Sequence, residues 1–234
     1  MDLYSEIENL RSNHRQHQAL RFKRIVSQAE RPDRLFGING VHFLLKLLER
    51  SNDLIEEALF AIERHKTLTL ILTARAHFET TASAGFFLRK LEKFYQNEVD
   101  EDTLSNFIGK LSTGSRIKDA ETEDVKFPDP INVLTLIDEA DKKLKSMGGH
   151  PDMLRSCYDV LSEYNHPNLM GTTYKTKVNL EEGTVTFLTD AESFEKHSKS
   201  IILKLLISAD LYLMFYKKAF ELLQQNENMP VLER

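Results

Sequence analysis

The stretch from 67 to 95 constrains this chain more than any other. It reads TLTLILTARAHFETTASAGFFLRKLEKFY, apolar at helical spacing, without proline and with a single glycine. Such a run predicts a long helix, too apolar to lie on a surface. Yet Arg75, His77 and Glu79 stand in its middle. They argue against a membrane span, which the length alone would permit. Ile71, Arg75, Glu79 and Ser83 follow one another at i, i+4 and so line one strip. A buried charge costs several kcal/mol unless it is paired and hydrogen-bonded. The fold must therefore bring other helices, with polar partners, against this one.

The rest of the chain reads the same way. Residues 2–30 predict one helix ended by Arg31-Pro32-Asp33, because the residue before proline avoids the helical basin. Its middle, 11–18, is entirely polar, so residues 1–31 are expected as a projecting N-terminal helix. The apolar stripe Leu3, Ile7, Leu10 beyond that middle then needs a cover, and a second copy of the chain is the economical one. Two shorter helices follow at 36–49 and 54–65, the second capped by Ser51-Asn52-Asp53. Helices are expected again at 103–111, 132–147, 151–165 and from Asp190, as cap, to about 225. Residues 112–130, polar and closed by two prolines, predict an exposed loop. Near 174–189 the period changes: KTKVNL and TVTFL alternate around Glu181-Glu182-Gly183. That is a two-stranded hairpin with a three-residue loop and glycine at a positive φ. The expected fold is all-α, a single helical bundle over 1–234 with one inserted β-hairpin.

Composition bounds the function. Only 9 Gly and 6 Pro exclude collagen-like and loop-dominated architectures. A formal net charge of −5 does not impose a nucleic-acid or membrane role. One cysteine, Cys157, excludes an internal disulfide and any multi-cysteine metal site, and with an N-terminus unlike a signal peptide it points to the cytoplasm. No GxxxxGK[ST], GxGxxG or HExxH occurs, so no cofactor and no metal are expected. His14-x2-His17 lacks an obvious third ligand.

Three groups of residues invite a functional reading. Arg75 and Glu79 are either a structural ion pair or a site. Tyr158, Ser162 and His166 step by four and share a helix face, with His166 at the C-terminal end before Pro167, where the helix dipole favours a protonated imidazole. The expected geometry places His166 beside the Arg75–Glu79 pair, with Glu79 bridging two cations that face one opening for an anion. The third group is basic: Arg11, Arg15, Arg21 and Arg24 lead a stretch that reaches Arg34 and carries a local charge of +5. It is a candidate nucleic-acid contact, to which His14 and His17 would add charge at lower pH, or simply a solvated helix face.

An apolar helix with Ala74-Arg75-x3-Glu79, followed by a helix closing on Ser162-x3-His166-Pro167, resembles a broad set of uncharacterised bacterial all-helical proteins. These in turn are similar to the HEPN superfamily, which includes toxin and defence ribonucleases. The resemblance implies a helical fold, a shared polar cluster of Arg75, Glu79, Ser162 and His166, and RNA or another phosphate-containing ligand. Arg11-x5-His17 fits the R-x4-6-H spacing of those ribonucleases, but thirteen arginines, eight histidines and three spacings yield about one such pair by chance. Two readings follow. The preferred one is a non-catalytic binding or regulatory protein, homodimeric through its N-terminal helix, whose cluster takes an anion. The alternative is a divergent HEPN-like RNA-acting enzyme of a bacterial defence or toxin system.

Overall fold

A computed structural model describes residues 3–26, 35–117, 126–227 and 230–233. Among them the chain forms eight helices: α1 (Leu3–Ala19), α2 (Leu35–Glu63), α3 (Thr67–Tyr95), α4 (Glu101–Thr113), α5 (Val133–Ser146), α6 (Met153–Asn165), α7 (Leu169–Thr173) and α8 (Asp190–Asn226). Four short strands complete it: β1 (Arg24–Val26), β2 (Thr176–Asn179), β3 (Thr184–Phe187) and β4 (Val231–Glu233). The all-α bundle with an inserted hairpin is the observed architecture.

Helix α3 is the axis. It packs against α2, α4, α5, α6 and α8. Buried residues therefore surround it, from Leu70, Ile71 and Ala74 through Phe78, Ala82 and Phe86 to Leu88 and Leu91. Its one glycine is where neighbours come closest. A Cβ on Gly85 would meet Ala140 of α5 at 2.8 Å and the Phe215 ring of α8 at 2.9 Å. The close approach of these helices depends on that missing methyl.

Sequence patterning located most helices within a few residues, with four corrections. First, 36–49 and 54–65 are one helix, α2. Ser51 and Asn52 do not cap, because both are buried and their side chains bond elsewhere: Ser51 to His77, and Asn52 Nδ2 to the Leu48 carbonyl at 2.9 Å. Second, α8 starts one residue early. Thr189 is its cap, closing a capping box with Glu192, while Asp190 holds Lys66 and Lys175. Third, Ser112 and Thr113 of the expected loop belong to α4; residues 118–125 lie outside the described residues. Fourth, the hairpin turn has four residues, Leu180 to Gly183, since Asn179 pairs with Thr184; Gly183 does adopt a positive φ of 63°.

The N-terminus departs furthest from expectation. Helix α1 stops at Ala19, and β1 pairs antiparallel with β4, a second small sheet. The expected stop at Arg31-Pro32-Asp33 lies outside the described residues. Nor does α1 project. Its polar middle buries Asn13, His14 and His17 against the body, with Asn13 Nδ2 donating to Asp210 of α8 at 2.6 Å. Leu10 is fully buried and Leu3 and Ile7 pack on the same core. The stripe that suggested a homodimer through this helix is covered by its own chain.

Helix α6 is held at its start by a neighbour. Asp152 precedes it in the left-handed region and makes no side-chain cap. Instead Asp141 of α5, almost fully buried, accepts from the Leu154 and Arg155 amides, both at 2.9 Å. Two of the four orphan amides of α6 are thereby satisfied from another helix. Asp141→Ala should cost about 1–2 kcal/mol in urea unfolding, the upper range for a lost cap. An unchanged midpoint would show that water replaces the carboxylate without loss.

Candidate functional site

Arg75 and Glu79 lie where α3 meets α6. Nε–H of Arg75 donates to Ser162 Oγ at 3.1 Å, and Nη2 donates to Tyr158 Oη at 2.7 Å. Nη2 also sits 3.1 Å from Glu79 Oε1, and Tyr158 Oη–H donates to that same oxygen at 3.2 Å. The guanidinium carbon is 5.1 Å from the Tyr158 ring centroid. Tyr158 is buried, whereas the Arg75 and Glu79 side chains keep 24% and 29% of their surface. Four of the five expected cluster residues therefore converge: Arg75, Glu79, Tyr158 and Ser162. Arginine fits this position because its planar fork presents N–H groups along two edges. One edge is fixed by α6. Nη1 has no hydrogen-bond partner among the described residues.

His166 does not join them. It is exposed, and Glu79 bridges Arg75 and Tyr158 rather than Arg75 and His166. The cause is Pro167. The residue before proline is pushed to extended geometry, here φ −88° and ψ 150°. His166 ends α6 through its backbone amide, 3.3 Å from the Ser162 carbonyl, and its side chain leaves the Tyr158–Ser162 strip.

A second polar group lies on the opposite side of α3, inside the core. His77 is fully buried. Its Nε2 is 2.8 Å from Ser51 Oγ of α2, and its Nδ1 is 2.8 Å from Ser208 Oγ of α8. Thr81, one turn on, donates to the Ser208 carbonyl at 3.1 Å. A neutral imidazole, donor on one nitrogen and acceptor on the other, satisfies both serines. Beside it His17 of α1 stacks on Tyr212, with centroids 5.3 Å apart, and donates from Nδ1 to the Asn13 carbonyl at 3.0 Å. Its Nε2 and the Tyr212 hydroxyl are buried without a partner among the described residues. Of this group the sequence marks His77 and His17. Thr81 was detectable as the i+4 neighbour of His77, but nothing local marks Ser51 or Ser208.

The basic candidates are mostly spent on carboxylates. Arg11 pairs with Glu8 at 2.6 Å and Glu63 at 3.2 Å, Arg21 forks onto Glu49, and Arg24 reaches Glu233 at 3.9 Å. Only Arg15 of the four is exposed without a partner among the described residues. Burial lowers both His14 and His17, and so works against the charge they would add at lower pH. Among the described residues no group of three or more His, Cys, Asp or Glu is placed to hold a metal ion, and no helix is long and apolar enough to cross a membrane. No family model, curated protein or solved structure matches the chain.

Burial holds His17 at about 4 and His77 at about 3, below the ordinary 6.5. Under that value the unfolded chain binds protons that the native state refuses. The stabilisation is thus complete above 6.5 and is lost as pH falls toward 4 and then 3. Each histidine should remove up to about 1.4 kcal/mol per pH unit within its window. Urea unfolding from about pH 7 to about pH 5 checks this, and His17→Phe should flatten the slope. Equal slopes for the variant and the parent would contradict it.

Proposed function

We propose that this chain is a non-catalytic binding or regulatory protein, cytoplasmic and of bacterial type, whose recognition element is Arg75. The ligand chemistry is an anionic oxygen group, a phosphate free or on RNA. One observation carries the reading: Arg75 is a quarter exposed, with one edge held by Tyr158 and Ser162 of α6 and its Nη1 without a partner among the described residues. A guanidinium already oriented by another helix loses little freedom on binding, and planar two-edged donors suit phosphate. Glu79 offsets the charge locally and tunes the affinity downward.

The RNA-acting alternative rests on the HEPN resemblance. It would need an arginine and a histidine facing one surface. Arg11 and His17 do not supply this, since Arg11 is bonded to Glu8 and Glu63 and His17 is enclosed against Tyr212. The bacterial defence setting belongs to that second reading.

Calorimetric titration with inorganic phosphate and with a 5′-phosphorylated RNA oligonucleotide separates the possibilities. Arg75→Ala should weaken binding at least about tenfold, about 1.4 kcal/mol, with the helical circular dichroism retained. Glu79→Gln should tighten it, because a competing negative charge is gone. Arg15→Ala should change little. Binding unaffected by Arg75→Ala would overturn the proposal, and RNA cleavage by the parent chain would favour the alternative.

A further inference from the structure

The β2–β3 hairpin is fixed at its base and bare along its length. At the base, Leu188 N–H donates to the Lys175 carbonyl at 2.8 Å, and Lys175 is held by Asp190. Ser193 and His197 of α8 reach the Tyr174 carbonyl at 3.2 and 3.1 Å. At the start of β2, Lys196 of α8 reaches the Thr176 carbonyl at 3.4 Å, and the apolar side chains farther out are exposed. Val178 is 54% exposed, Val185 56%, Phe187 80% and Leu180, in the turn, 89%.

The register sorts these side chains by face. Val178 lies opposite Val185, and Thr176 opposite Phe187. Opposed residues share a face and alternate along the strand. One face is therefore Thr176, Val178, Val185 and Phe187, wholly uncharged. The reverse face is Lys177, Asn179, Thr184 and Thr186. A two-stranded hairpin of four-residue strands is marginal in water unless one face is covered. In this chain its own helices leave that face open.

We propose that two copies of this chain associate through the apolar face of this hairpin, packed face to face across a two-fold axis. Two arguments select a second copy. The first is charge. In a two-fold contact each side chain meets the same surface patch of its mate, so a charge on the face would oppose its own like. This face has none, and the one lysine of the strands is on the reverse. The acids Glu181 and Glu182 lie in the turn, at a rim where water and salt screen them. The second is area. Val178, Val185 and Phe187 of the face, with Leu180 beside them in the turn, are each more than half exposed, and over both copies they offer on the order of 1,000 Å², the lower end of what a specific interface buries. The base bonds hold the face in place before contact, which lowers the ordering cost. This contact uses neither α1 nor Arg75.

Sedimentation of the full chain from about 1 to about 100 µM should show a dimer, and Val185→Lys should raise its dissociation constant at least about 100-fold with the helical circular dichroism unchanged. A cross-linking pair guards against a hairpin that merely unfolds. In a Cys157→Ser background, Val185→Cys should form a disulfide-linked dimer under mild oxidation, and Lys177→Cys, on the reverse face, should not. A parent chain that stays monomeric, a Val185→Lys dimer of unchanged affinity, or equal cross-linking from both faces would each overturn the proposal. So would capture of another protein's extended segment by a hairpin that never pairs with itself.

Discussion

The neutral imidazole of His77 is the point on which the arrangement turns. It ties α3 to Ser51 of α2 and Ser208 of α8 at the centre of the bundle. Successive residues of a helix are about 100° apart, so residues two before and two after His77 point about 200° away from it. Those residues are Arg75 and Glu79. Fixing His77 toward α2 and α8 turns the charged pair toward α6 and the surface. The same short sequence, Arg75-Ala76-His77-Phe78-Glu79, thus builds a dry polar knot on one side and a half-exposed ion pair on the other.

The two clusters obey different electrostatics. Around His77 no group is charged within the knot, and burial keeps the imidazole neutral by holding its pKa far below the ordinary value. Hydrogen bonds there act in a low dielectric and are costly to break. Around Arg75 both partners keep contact with water, so their attraction is screened and their contribution to stability is modest. Tyr158 mediates between the two regimes. Its ring is buried on α6, and its hydroxyl both accepts from Arg75 and donates to Glu79.

How much of this was legible in the sequence follows from the range of each interaction. Helix α3 was read to the residue, because an apolar 3.6-residue period without proline is a local signal. So was the alternation of the hairpin. The convergence of Arg75, Glu79, Tyr158 and Ser162 was readable as two i, i+4 strips that needed partners. The four-residue step from Tyr158 and Ser162 predicts His166 on the same strip, but α6 ends at Asn165 and Pro167 holds His166 in extended geometry. The β1–β4 sheet was missed since its strands lie at opposite ends of the chain, as was the packing of α1, where Asn13 and His17 look solvated until Asp210 and Tyr212 of α8 are placed beside them. A split in α2 was expected because Ser51-Asn52-Asp53 resembles a cap, and only the His77 contact shows why the helix continues.

The division of labour along α3 is the central claim, and parallel urea unfolding of two alanine variants tests it most directly. His77→Ala opens a cavity at the centre of the bundle, leaves Ser51 unpaired and leaves Ser208 with Thr81 alone, so it should cost about 3–5 kcal/mol. Arg75→Ala leaves Tyr158 still bonded to Glu79, and should cost no more than about 1 kcal/mol. Equal losses for the two variants, or a larger loss for Arg75→Ala, would make the outer cluster a structural lock and contradict the account.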